Sequence, residues 1–229
     1  SQEASSLIDS ISPDEELRRI LEYRTQELIE YQNSSFAKQY IDFVGNIYEK
    51  EKKTRSSSDL TQNVAKYLFK LMATKDEYEV ARLSLKAELD TAISQEFGKS
   101  AKINYMLHPP FLKAMENIPV LNMLPGVKSK LALGSWFKVF YVMLKNMKFL
   151  RGTPLDFMAW FSSDVRKADN KALNHYKSIL TDNLDEIGNG KYQDLKEFSV
   201  LPDIIRGYEE VRLETMTEYY KKSDNLFKS

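Results

Sequence analysis

The segment "FLRGTPLDF" (149–157) sets an arginine, a glycine, a threonine, a proline and an aspartate almost side by side. That set has two chemical readings. Arg151 and the backbone N–H groups of a following helix could grip an anion. Alternatively, Gly152 stops one helix, Thr153 caps the next, Pro154 takes its first position and Asp156 returns as the capping-box partner. The second reading uses every residue, so punctuation between two helices is expected. "KDEYEVAR" (75–82) poses a similar choice. Asp76 and Glu79 could act as a general acid and base, yet with Arg82 a turn further on they have the spacing of helix-surface ion pairs. Arg206, in "LPDIIRGYEEVR" (201–212), repeats the arginine–glycine pair of Arg151. An arginine closing an apolar segment can donate to the last carbonyls of a helix or fork onto a carboxylate. At least one of Arg151 and Arg206 is therefore expected to be largely buried in such a pair, with Asp76, Glu77, Glu79, Asp156 and Asp203 as candidate partners.

The two histidines are His108 and His175. No H-x-x-x-H or H-E-x-x-H spacing joins them to a metal site. His108 precedes two prolines and reads as a turn residue, and His175 lies on a polar helical stretch. Lys138, Lys145 and Lys148 share one side of a helix with aromatics between them. With equal numbers of acidic and basic residues in the chain, a snorkelling amphipathic helix is expected there rather than a nucleic-acid groove. No glycine-rich phosphate loop and no G-x-S-x-G elbow occurs. The residues alone thus predict no catalytic, cofactor-binding or metal-binding side chains.

The composition agrees. At 42% hydrophobic and 12% aromatic, the 229 residues can build a sizeable core. Thirty-three basic residues balance thirty-three acidic ones, which gives no electrostatic case for nucleic acid or a membrane surface as partner. The absence of cysteine excludes disulfides, thiolate nucleophiles and cysteine-ligated clusters in this chain, and suits a reducing compartment. The most apolar run, 136–150, is too short and too rich in lysine to span a bilayer. "SQEASSLIDS" does not read as a signal peptide, and a cytoplasmic location is expected.

These side chains must be held by helices. Ser12, Pro13 and Glu15 predict a capped helix over 12–31, followed after "QNSS" by a second apolar stripe at Phe36, Tyr40, Phe43, Val44 and Ile47. Residues 49–59 read as a solvated tail and loop. A helix is predicted from 59, and a capping box at Thr74 and Glu77 predicts another, with Tyr78, Ala81, Leu85 and Leu89 inward and Gly98 as its stop. The period then changes. Residues 103–107 and 129–133 alternate, predicting two short antiparallel strands. Helices are expected over 136–150, 154–161, 163–187, 191–198 and 203–227, with breaks at 188–190 and 199–202. The expected fold class is mainly α, a multi-helix domain with a small two-stranded β-hairpin. Residues 1–58 form a helical hairpin and polar loop, and 59–229 a helical core in one domain with it.

Four stretches occur in a distinctive order: 60–83, "INYMLHPPFL" (103–112), "FLRGTPLDF" and "LPDIIRGYEEVR". With "LIEYQNSSFAKQYIDFV" (28–44), that order resembles the C-terminal domain of the single-chain indolepyruvate ferredoxin oxidoreductases, in the 2-oxoacid:ferredoxin oxidoreductase group. The chain departs from the family at Glu210 and Arg212, where a histidine and a lysine are usual. The resemblance implies a parent enzyme that oxidatively decarboxylates aryl pyruvates to acyl-CoA, using thiamine diphosphate with Mg, iron–sulfur clusters and ferredoxin. It implies that this chain is an accessory domain packed on the catalytic domains of the same polypeptide. Cluster ligation needs thiolates, and the glycine–aspartate–glycine run typical of a thiamine diphosphate site is missing here, so those cofactors would lie outside this chain. A stand-alone helical interaction module is the alternative. On either reading Arg151, Asp156, Arg206, Asp76, Arg82 and His108 are the residues to watch, as structural or ligand-facing groups.

Overall fold

A computed structural model describes residues 1–98, 105–107, 131–133, 138–156, 158–159, 163–207 and 209–227. Among these the fold is mainly α, with ten α-helices and one two-stranded sheet. In chain order the helices are α1 (Gln2–Asp9), α2 (Glu15–Tyr31), α3 (Ser34–Thr54), α4 (Asp59–Met72), α5 (Glu77–Ser84), α6 (Ala87–Phe97), α7 (Lys138–Asn146), α8 (Ser163–Asp182), α9 (Tyr192–Val200) and α10 (Glu209–Phe227). Short 3-10 turns occupy Met147–Leu150, Leu184–Asn189 and Leu201–Ile204. The chain divides into two units. Unit 1 joins Ser1–Thr74 to Asp164–Ser229, and unit 2 is Lys75–Ser163. Of the expected segments 1–58 and 59–229, the first lies in unit 1 and the second is shared between units 1 and 2.

In unit 1, α2 and α3 are an antiparallel pair, since the N–H of Asp14 at the start of α2 donates to Tyr48 Oη near the end of α3 (3.0 Å). The cap of α2 is Asp14, whose Oδ1 accepts from Leu17 N at 3.0 Å. The expected cap, Ser12, instead turns the chain at φ 46° after α1, a helix the sequence reading missed. Asn33 caps α3, with Phe36 N at 2.9 Å from its Oδ1, which explains the break near Ser34. Gly45 is required by packing: a Cβ there would stand 2.5 Å from Ile11 Cγ2.

The core of unit 1 is apolar and aromatic. Leu17, Leu21 and Leu28 of α2, Tyr40, Ile41, Val44 and Ile47 of α3, and Leu60, Val64 and Leu68 of α4 are buried. Tyr176, Leu195, Phe198 and Tyr219 join them from α8, α9 and α10. The stripe predicted for α3 is seen, except that Phe36 and Phe43 are only partly buried. The solvated tail expected at 49–59 is a correction. Helix α3 runs on to Thr54, and Glu51 is fully buried because it falls on the inward stripe Tyr40, Val44, Ile47, Glu51.

In unit 2 the strands β1 (Tyr105–Leu107) and β2 (Leu131–Leu133) pair antiparallel, Tyr105 opposite Leu133 and Leu107 opposite Leu131. They fall within the ranges expected for the hairpin; residues 103, 104, 129 and 130 lie outside the described residues. The single helix expected from Thr74 to Gly98 is two helices, α5 and α6, separated at Leu85 and Lys86. Helix α5 buries Tyr78 and Ala81, and α7 adds Tyr141 and Leu144 to the same cluster.

Candidate functional site

The two segments that opened the sequence question meet in unit 2. Helix α5 starts at Asp76, whose Oδ1 accepts from Glu79 N at 2.9 Å. The capping box expected at Thr74 and Glu77 is therefore displaced by Asp76. Its carboxylate meets the cluster of orphan N–H groups directly, a stronger interaction than a hydroxyl offers. Thr74 Oγ1 instead lies 3.3 Å from Tyr31 Oη in unit 1.

The same Asp76 carboxylate takes a guanidinium fork. Arg151 Nε lies 2.5 Å from Oδ2, and Nη2 lies 2.8 Å from Oδ1. The two side chains are 11% and 7% exposed, so this is a buried, bidentate pair. The guanidinium carbon also sits 5.5 Å from the centre of the Tyr78 ring. Tyr78 Oη donates to Asp156 Oδ1 at 2.9 Å. Asp156, itself buried, accepts further from Ala159 N (3.2 Å) and, on Oδ2, from Gly152 N (3.1 Å). One turn along α5, Arg82 makes a second fork onto Glu79, Nε to Oε2 and Nη2 to Oε1 both at 2.8 Å.

"FLRGTPLDF" is thus punctuation of a different design from the one expected. Gly152 does end the preceding turn, at φ 76°, where a side chain would strain the backbone. Thr153 does not cap the next helix. Its hydroxyl donates back to Leu150 O at 2.7 Å, and Asp156 supplies the acceptor for Ala159 N. The side-chain acceptor for the following backbone N–H thus sits at Asp156, three residues beyond Thr153. Chemically the cluster is a clamp. An anion approaching Arg151 must compete with the Asp76 carboxylate, and Asp76 and Glu79 each carry a guanidinium rather than facing each other as acid and base.

The structure therefore brings together Asp76, Arg82, Arg151 and Asp156, and adds Tyr78 and Glu79. Arg206 is elsewhere, exposed in unit 1, with Nη2 2.5 Å from Asp203 Oδ2. His108 lies outside the described residues. His175 is less solvated than its sequence suggests. Its ring meets Phe198, Tyr219 and Tyr220 edge-on, with Nε2 3.0 Å from Ser223 Oγ. Burial holds its pKa below the usual value.

Sequence reasoning missed a second buried carboxylate, Glu51 in unit 1. It accepts from Leu60 N (3.0 Å), Thr61 N (2.8 Å), Thr61 Oγ1 (2.6 Å) and Tyr192 Oη (2.8 Å). Ser58, the N-cap residue of α4, makes no side-chain cap bond, so Glu51 caps α4 from the neighbouring helix. Arg55 lies over the Tyr192 ring at 3.9 Å. The signal was present in the spacing of Tyr40, Val44, Ile47 and Glu51, where a carboxylate continues an apolar stripe.

Among the described residues no group of three or more His, Asp or Glu side chains is disposed to hold a metal, and no helix is long and apolar enough to cross a membrane. No curated protein and no solved structure matches the chain. The family described as Family of unknown function (DUF6537) matches residues 17–225, nearly the whole length, and the chain belongs to that family.

Proposed function

We propose that this chain is a non-catalytic C-terminal accessory domain of an indolepyruvate-type 2-oxoacid:ferredoxin oxidoreductase, docked on the catalytic domains of the same polypeptide in the cytoplasm. The observation that carries the reading is the clamp. Two of the four stretches behind the resemblance, 60–83 and 149–157, meet there: Arg151 and Asp156 of the second engage Asp76 and Tyr78 of the first, and Arg82 forks onto Glu79 beside them. Motifs used in this way position a domain rather than perform a reaction. Thiamine diphosphate, Mg, the iron–sulfur clusters, CoA and ferredoxin then belong to the parent enzyme. The donor set supports that division, because a chain without cysteine cannot ligate clusters through thiolates.

The docking face in this reading is on α7. Val139, Val142 and Met143 recur at i, i+3 and i+4 and are exposed, 76%, 48% and 47%, while Tyr141 and Leu144 fill the inner side. The test has two arms. The isolated chain should show no thermal shift with thiamine diphosphate and Mg; a clear shift would sink the non-catalytic reading. In the intact polypeptide, Val142→Glu with Met143→Glu should lower indolepyruvate oxidation while the isolated domain keeps its melting temperature. Unchanged turnover in that double variant would remove the docking face. The stand-alone interaction module remains the second reading, favoured by the same exposed strip. It is the one to keep if no thiamine-dependent domains share the polypeptide.

A further inference from the structure

Within unit 2 the turn that carries Arg151 is firmly fastened, yet the large apolar side chains flanking it are left in solvent. Arg151 forks onto Asp76, Asp156 accepts from Tyr78 Oη and Gly152 N, and Thr153 Oγ1 donates to Leu150 O. Phe149 and Leu155, at either end of that turn, are 68% and 70% exposed. A buried ion pair fixes a backbone at a cost in desolvation. Here the fixed backbone presents hydrocarbon to water, and apolar side chains held in place beforehand bind a partner without a further cost of ordering.

Phe149 also lengthens the strip on α7. It stands in the 3-10 turn that continues the helix, seven residues after Val142 and so about two helical turns along. From Val139 to Phe149 the strip runs roughly 15 Å. Its edge is cationic. Lys145, three residues after Val142, is exposed and forms no ion pair with any described residue. Between Lys138 and Leu155 the sequence holds Lys138, Lys145, Lys148 and Arg151 but no acidic residue. Helix α5 packs against α7 through Tyr78 and Ala81. Of its carboxylates, Asp76 and Glu79 are taken by Arg151 and Arg82, and Glu77 is half-buried.

We propose that this face receives an acidic amphipathic helix. The apolar side of that helix lies along Val139, Val142, Met143 and Phe149, and its carboxylates pair with Lys145 as flanking charges do in paired helices. Leu155 is a further apolar contact on the fastened turn. A basic helix would set like charges opposite one another and is rejected. A lipid surface suits the strip less, because interfacial helices are commonly longer and bury tryptophan, phenylalanine or leucine along their apolar face. The inference deepens the docking reading of α7 and rests on it only for the origin of the helix, the catalytic domains of the same polypeptide.

The full chain, methyl-labelled at valine and methionine, is titrated with a synthetic amphipathic helix of leucine and glutamate and with its leucine–lysine counterpart. Vesicles of phosphatidylcholine and phosphatidylserine form the third arm. Saturable NMR shifts of the Val139, Val142 and Met143 methyls are expected with the glutamate peptide, weakening as salt rises, and absent in the other two arms. Phe149→Ala and Lys145→Glu alter exposed side chains, so the melting temperature should hold while binding weakens at least about fivefold in each. The proposal is overturned by shifts that never saturate, by equal affinity for the lysine peptide, by undiminished binding in both variants, or by a preference for the vesicles. The two readings fail separately. Peptide binding with unchanged turnover in the Val142→Glu, Met143→Glu polypeptide supports the acidic-helix face and removes its catalytic-domain origin. Lost turnover without peptide binding overturns the acidic helix alone.

Discussion

In unit 1 the buried carboxylate of Glu51 is met by four neutral donors, three at the start of α4 and one from Tyr192 of α9, whereas in unit 2 the carboxylates of Asp76 and Glu79 are each met by a guanidinium. Both arrangements satisfy a charge removed from water, but they depend on different surroundings. Glu51 sits inside an extensive apolar core, and the partial positive charge of a helix N-terminus helps to hold it. Unit 2 shows a much smaller buried apolar cluster among the described residues, built on Tyr78, Ala81, Tyr141, Leu144 and Met158. Its helix α5 is tied to the "FLRGTPLDF" turn by full charges. Unit 1 should therefore tolerate polar change better than unit 2, and four measurements can break or sharpen that contrast.

The largest effect is expected for Arg151→Ala. Stranding the Asp76 carboxylate should destabilise unit 2 by about 3–5 kcal/mol. Hydrogen exchange should quicken across α5 while amides of α2 and α3 keep their protection. Equal loss of protection in both units would erase the distinction.

Glu51→Gln should cost unit 1 less, about 1–3 kcal/mol, because the amide keeps one acceptor but turns a donor toward donors. Chemical denaturation followed through unit 1 amides measures it. A loss as large as that of Arg151→Ala would show that neutral donors protect a buried carboxylate no better than a guanidinium does.

A smaller, pH-dependent effect should come from His175. Burial lowers its folded pKa, Asp224 partly restores it and Lys171 lowers it again. The unfolded chain therefore takes up the proton first. The contribution of His175 to stability is present above the unfolded value of about 6.5 and is lost as pH falls through the lower folded value. Melting curves from pH 8 to pH 5 should decline below that point in the wild type and less so in His175→Gln; identical slopes would remove His175 from the account.

The smallest effect belongs to Arg206→Ala. Its pair with Asp203 is solvent-exposed, 69% and 49% for the two side chains, and such pairs contribute under about 1 kcal/mol. Similar melting losses for Arg206→Ala and Arg151→Ala would show that burial does not separate the two arginine–glycine elements.

Those two arginines also mark what the sequence could disclose. Both sit before a glycine at the end of an apolar run, and nothing local distinguishes them. Only the fold places one beside Asp76, 75 residues away in sequence. The helical stripes of α2, α3 and α4 were legible because hydrophobic period is a local signal. The caps were less so. Asp14, Asp76 and Asp156 displaced Ser12, Thr74 and Thr153, each two or three residues further on. When a hydroxyl and a carboxylate are both within reach of a helix start, the carboxylate gains a charge-assisted bond, and a rule based on pattern alone selects the first candidate. Glu51 was overlooked for another reason, although its place on the apolar stripe was legible. Its neighbours Lys50, Lys52 and Lys53 make the segment look solvated, although one residue in that run points inward.

The division of the chain also sets a timetable. Unit 1 is made of the first 74 residues and the last 66, with the whole of unit 2 between them. On a ribosome Glu51 can find Leu60 and Thr61 almost at once, but Tyr192 emerges 141 residues later. At about 5–20 residues per second that is a wait of roughly 7–28 s. Through it α2, α3 and α4 present their inward faces without α8, α9 and α10 to cover them. The nascent N-terminal half should accordingly be the stage at which this protein is most exposed to aggregation and most in need of a chaperone.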